Sequence, residues 1–205
     1  MLKKIGIALG ALVVVFLIVV ATRPATFEVK RSLLINAPAD VVYAQISDFH
    51  AWGGWSPWDH LDPNMKRTYG DVASGVGASY HWVGNKDVGE GNMKITEAKP
   101  GEHVGIDLDF ITPFEAHNRT DIDLVKTGEG TMVIWLMSGK NNFGAKAASL
   151  FMNMDKMVGG DFEKGLAAMK TISEGEAAKK AAEAAEVKKA LDAAAAAAPA
   201  DAGTP

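Results

Sequence analysis

Between residues 147 and 172, apolar side chains return every three or four positions: Ala147, Leu150, Phe151, Met154, Met157, Val158, Phe162, Leu166, Met169 and Ile172. That spacing matches the helical turn and lays one stripe along about seven turns. A stripe of this length needs an apolar surface of equal length to cover it. The residues before it supply one. From Met65 to Met137 the pattern becomes an alternation broken by turns, with strand candidates at 66–69, 78–83, 92–98, 103–110, 116–125 and 131–137. The turns hold Gly75, Gly77, Gly84-Asn85, Pro100-Gly101, Pro113 and Gly128-Glu129-Gly130. Connections this short pair neighbouring strands antiparallel. In Ile106-Asp107-Leu108-Asp109-Phe110 the apolar side chains face in and the carboxylates out. The expectation is an α+β domain in which a curved antiparallel sheet wraps one long C-terminal helix.

Residues 27–36 read as an opening strand, with Phe27, Val29 and Arg31 on one face. Asn36-Ala37-Pro38-Ala39 then opens a helix ending near Asp48, with proline placed at the first helical position. Trp52-Gly53-Gly54-Trp55-Ser56-Pro57-Trp58 is too rich in glycine and proline to be regular. Gly175 is expected to end the long helix. Beyond it, 176–198 is built from Ala, Lys and Glu with Val187 and Leu191 as its apolar anchors, a partly helical, solvated tail. Residues 199–205 read as disordered.

The N-terminus carries a separate signal. Ile5 to Ala21 is uncharged, and twelve of the sixteen residues from Ile5 to Val20 are Ile, Leu, Val or Phe. At about −0.3 to −0.6 kcal/mol each, they favour insertion by roughly 5 kcal/mol. The run spans about 25 Å as a helix, slightly less than a bilayer core of about 30 Å, and snorkelling lysines can cover the difference. Lys3 and Lys4 before it, against Arg23 after it, predict a cytoplasmic N-terminus and an exported domain. A cleavable signal peptide is the alternative, with Val19-Val20-Ala21 as its cleavage signature. The resulting division is a cytoplasmic 1–4, a transmembrane anchor 5–22, a domain 26–173 and a tail 174–205.

The net charge of −4 gives no sign of a nucleic-acid partner. With no cysteine, disulfides, thiolate metal sites and a cysteine nucleophile are excluded. The histidines at 50, 60, 81, 103 and 117 lack metal-ligand spacing, and no cofactor-binding fingerprint is complete. No metal or cofactor is expected.

The domain quotes a familiar series of segments. It starts with Ile35-Asn36-Ala37-Pro38 and Val41-Val42-Tyr43, then Trp55-Ser56-Pro57-Trp58 and Asp62-Pro63-Asn64-Met65. Gly75-Val76-Gly77-Ala78-Ser79-Tyr80-His81-Trp82 and Val88-Gly89-Glu90-Gly91 continue it, and Asp161-Phe162-Glu163-Lys164-Gly165-Leu166 closes it. In this order, residues 26–173 resemble the polyketide cyclase/dehydrase and lipid-transport branch of the START-like (SRPBCC) superfamily. The resemblance implies a helix-grip fold, in which sheet and final helix enclose a cavity for a hydrophobic small molecule.

Trp55, Trp58, Tyr80, Trp82, Phe110, Phe114, Phe151 and Met154 are the candidate cavity lining, with Met93 as adaptable filler. An ordinary aromatic core is the competing reading for each. Asp59 and His60 are the candidate proton carriers if the domain is a cyclase- or dehydratase-like enzyme. His81, alternating with Tyr80 and Trp82, should point away from any cavity. Asp107, Asp109, Asp121 and Asp123 should form an outward acidic strip, with Lys94 opposite Asp107 and Arg119 and Lys126 alongside. Three functions remain open: a tethered module for a lipid-like or aromatic molecule, an enzyme, or an envelope interaction protein that uses the tail with an unknown protein partner.

Overall fold

A computed structural model describes residues 2–197 of the chain, so the disorder expected at 199–205 lies outside the described residues. Helix α1, Leu2–Ala21, is long and apolar enough to cross a membrane, and a signal sequence has the same character. After it come strand β1 (Thr26–Ile35), helices α2 (Ala39–Ser47) and α3 (Phe49–Trp52), and a 3-10 turn at Pro57–His60. Six strands follow: β2 (Lys66–Tyr69), β3 (Ser79–Val83), β4 (Glu90–Lys99), β5 (His103–Thr112), β6 (Ala116–Thr127) and β7 (Gly130–Lys140). Helices α4 (Phe143–Ala148) and α5 (Met154–Ala197) complete the described chain.

All seven strands form one antiparallel sheet in the order β1-β7-β6-β5-β4-β3-β2. The long hop from β1 to β7 closes the meander, because β1 is the one strand without a hairpin partner beside it in sequence. Register fixes the faces. Val29 pairs with Met137 and Arg31 with Trp135, Ile122 also sits opposite Trp135, and Val104 opposite Ile122. These side chains share the concave face with Tyr80, Trp82, Met93 and Ile106, since side chains of one parity share a face. Asp107, Asp121 and Asp123 take the convex one.

Helix α5 lies in the concavity along β1. Arg31 donates to Asp155 and Glu163 near its start, and Lys170 Nζ donates to the Leu34 carbonyl 2.9 Å away. Further along, the Asn36 N–H donates to Glu174 at 2.8 Å. Phe162, Leu166 and Met169 are buried against the sheet, with Val158 and Ile172 packed beside them.

Three expectations are corrected here. The 147–172 stripe is two helices, because Ser149 to Asn153 interrupt it between α4 and α5. Pro38 is the residue before α2 rather than its first helical residue, keeping an extended backbone at ψ 148. Gly175 does not end α5, which continues to Ala197. One exposed glycine costs about 1 kcal/mol relative to alanine, and the alanine-rich stretch beyond it outweighs that.

Candidate functional site

The concave face is filled solidly at one end of the sheet and not at the other. Around Ile35, Val133, Leu124, Val104 and Ile95, with Val42 and Ile46 of α2, side chains close the core. Toward the opposite end a partly open cavity of about 150 Å³ remains. Aromatic rings make most of its wall. Trp135 and Phe162 are stacked, and the edge of Trp58 meets both at 6.0 and 6.1 Å. Across from them Trp82 stacks beside Tyr80 at 5.8 Å and takes the edge of Phe110 at 5.9 Å. Met65, Met93 and Leu108 fill between, with Thr120 and Ser56 as neutral polar points.

Several devices hold this wall in place. The buried carboxylate of Asp62 accepts from the backbone N–H of Asn64 at 2.9 Å and of Asn85 at 2.7 Å. It thereby ties the loop before Met65 to the loop before Val88, and both residues line the cavity. Trp82 lies over Gly91, where a methyl group would run into its indole and into the Asp109 carbonyl.

Asp59 is the carboxylate in the lining. Its Oδ1 accepts from Arg67 Nε at 2.7 Å, and its backbone carbonyl accepts from Arg67 Nη2 at 2.8 Å. The hydrogen bond with Asp59 raises the Arg67 pKa. Burial, reinforced by the Asp59 charge, pushes the Tyr80 hydroxyl well above the usual phenol value. Tyr80 is therefore a neutral donor or acceptor at the cavity wall. The indole N–H of Trp135 is buried and finds no hydrogen-bond partner among the described residues.

Of the residues picked from sequence, Trp58, Tyr80, Trp82, Met93, Phe110 and Asp59 meet at the cavity. Trp55 does not line it. Its indole N–H donates to the Gln45 carbonyl at 3.0 Å, and its ring packs edge-on to Trp135 from the α2 side. Phe114 and Phe151 are 82% and 84% exposed and Met154 is 44% exposed, so these three also lie outside the lining. Phe114 sits in the β5–β6 turn and Phe151 in the break between α4 and α5, where helical phase no longer carries a side chain inward. His60 is exposed and lies outside the cavity. His81 points to the convex face, where its Nδ1 is 2.8 Å from Asn92 Oδ1.

Sequence reading passed over Trp52, Trp135, Leu108, Met137 and Phe162 as lining residues. Trp135 left no periodic signal, because every residue from Met132 to Met137 is apolar and no face stands out.

The acidic strip is matched by bases. Arg119 bonds Asp121, Asp107 and Glu97, His103 Nδ1 is 2.8 Å from Asp123, and His117 pairs with Asp109. Among the described residues, no group of three His, Asp or Glu is placed to hold a metal ion.

Residues 26–174 match the family model described as polyketide cyclase / dehydrase and lipid transport. The chain belongs to this family. Several solved structures share its fold at low identity. A Staphylococcus aureus protein of unknown function is 14% identical, with a TM-score of 0.56 over 76% of this chain and 98% of that one. A Chromobacterium violaceum protein is 16% identical, with a TM-score of 0.53 over 74% of this chain and 98% of that one. The di-domain ARO/CYC StfQ of the steffimycin biosynthetic pathway is 9% identical, with a TM-score of 0.55 over 75% of this chain and 52% of that one. No curated protein matches the chain.

Proposed function

We propose that the chain is a membrane-tethered binding module whose cavity accepts one apolar ring or a short apolar branch. In this reading 5–22 is the anchor and 26–173 is the ligand-binding domain. The domain lies on the exported side, as Lys3 and Lys4 ahead of the span imply.

The observation that carries the proposal is the aromatic-walled cavity of about 150 Å³ between the sheet and α5. An apolar void of about this size holds a benzene-sized guest, whereas sites for drug-sized molecules run to roughly 300–1,000 Å³. A single aromatic group, or the end of a larger lipid-like molecule, fits the conformation described. Burying roughly 150 Å² of ring at about 25 cal/mol per Å² gains about 4 kcal/mol, which corresponds to a Kd near 1 mM. Tighter binding requires polar contacts. Asp59, Tyr80, Thr120 and the unpartnered Trp135 N–H are the groups at hand, and they favour a guest bearing a hydroxyl or ketone oxygen.

The test is titration of the detergent-solubilised chain with indole, phenol and toluene, followed by tryptophan fluorescence and native mass spectrometry. Saturable uptake of one molecule per chain is expected. No uptake of any of the three at millimolar concentration overturns the proposal. The intact mass of the mature chain tests the tether, since cleavage after Ala21 removes it.

A further inference from the structure

We infer that the segment joining α4 to α5 is a membrane-contacting element that presses the domain against the bilayer crossed by α1. This rests on reading α1 as a membrane span.

The end of α1 is fixed to this segment. Helix α1 meets the rest of the described chain at α4, and Val20, in its last turn, is its fully buried residue. Just beyond, Arg23 Nε donates to Ser149 Oγ and Nη2 to the Ser149 carbonyl, both at 3.1 Å. On the other side of α4, the Asn141 N–H donates to the Ala25 carbonyl at 2.8 Å, and its Nδ2 to the Pro24 carbonyl at 3.2 Å. The linker is thus stitched to both flanks of α4. Because the apolar run of α1 extends to Ala21, an element held against Val20 lies at the depth where the span leaves the hydrocarbon.

The joining segment and the helices on either side of it expose apolar side chains. Phe143 is 55% exposed, Phe151 84%, Met152 51% and Met157 51%. An exposed cluster of this kind marks a partner surface. Lys140, Lys146 and Lys156 are interspersed with these residues in sequence, and Asp155, the acid of the stretch, is already paired with Arg31. Exposed aromatic and methionine side chains interspersed with lysine suit an anionic bilayer surface, with rings at headgroup level and ammonium groups on phosphate. The occupant is the bilayer itself.

Register places the cavity close to this surface. Thr26, Lys140, Ala116 and Thr112 terminate their strands at one end of the sheet, the end from which β1 leaves the linker. Met137, Phe110 and Trp82 lie within the last few residues of that end and line the cavity. A guest dissolved in the bilayer therefore has a short path to it.

The absence of cysteine makes a direct test practical. Ala148→Cys and Leu191→Cys, each carrying an environment-sensitive fluorophore, are compared in the full chain reconstituted into phosphatidylcholine–phosphatidylglycerol vesicles containing nitroxide-labelled lipid. Quenching several-fold stronger at 148 than at 191 is expected, falling when Phe143→Asp and Phe151→Asp are added. Equal weak quenching at both sites, in a chain that resists alkaline carbonate extraction, overturns the docking and leaves the anchor standing. Release by carbonate overturns the anchor and the docking with it.

Discussion

Trp135 of β7 and Phe162 of α5 lie face to face, with ring centroids 4.0 Å apart and planes inclined by 7°. This stack is the joint at which the helix is seated on the sheet, and one face of it borders the cavity. Phe162→Ala should cost about 3–5 kcal/mol, the usual penalty for deleting a buried aromatic ring. Phe151→Ala, on the same apolar stripe in sequence but exposed, should stay within about 0.5 kcal/mol. Denaturant unfolding of the two variants in detergent, followed by tryptophan fluorescence, checks both. Equal losses would contradict the split of the stripe into two helices.

Asp59 and Arg67 should behave as a coupled pair. Either single alanine variant leaves its partner without its charge-assisted hydrogen bond, at a cost of about 1.5–3 kcal/mol. The double variant should cost less than the two together, and a double-mutant cycle measures the difference. Strictly additive losses would mean that the 2.7 Å contact contributes nothing.

Gly91→Ala should weaken guest uptake as well as the fold, because the methyl meets the Asp109 carbonyl besides the Trp82 indole. The added methyl displaces the Trp82 indole from its seat on Gly91, and Trp82 forms cavity wall. Titration with indole should show at least tenfold weaker binding, equivalent to about 1.4 kcal/mol. Unchanged affinity would place the guest elsewhere.

Acid should loosen α5 from β1. The hydrogen bond from Arg31 lowers the pKa of Asp155, and the bond from Lys170, with the Asn36 N–H, lowers that of Glu174. Groups with depressed folded pKa values stabilise the fold above their unfolded values, here near 3.8 and 4.5, and lose that contribution as pH falls through the lowered ones. Unfolding midpoints measured from roughly pH 6 to pH 3 should drop in the acid limb. Arg31→Met should flatten that drop, because Asp155 then titrates alike in both states.

Much of the architecture was legible from local pattern. Strands β2 to β6 announced themselves by alternation between turns and β7 as an apolar run after one, and Val158, Phe162, Leu166, Met169 and Ile172 kept helical phase on the face that α5 buries. The alternation in 106–110 assigned the convex carboxylates correctly, as the Lys94–Asp107 pairing shows. Phe151 is exposed because it lies among the five non-helical residues before α5, where helical phase no longer applies, whereas Met154 keeps phase with Val158 but stands at the very start of α5. Trp55 was misassigned because an irregular loop carries no period from which to read its direction.

The sequence alone determined the order of the strands, the apolar N-terminal helix and the family, because these follow from periodicity, hydropathy and residue identity along the chain. Tertiary structure alone decided where the cavity lies and which rings bound it. That outcome depends on strand register and on how far α5 extends along β1, both set by contacts between residues more than a hundred positions apart, such as Arg31 with Glu163. Local pattern carries no record of such contacts, so the unfilled end of the concave face becomes visible only once sheet and helix are packed.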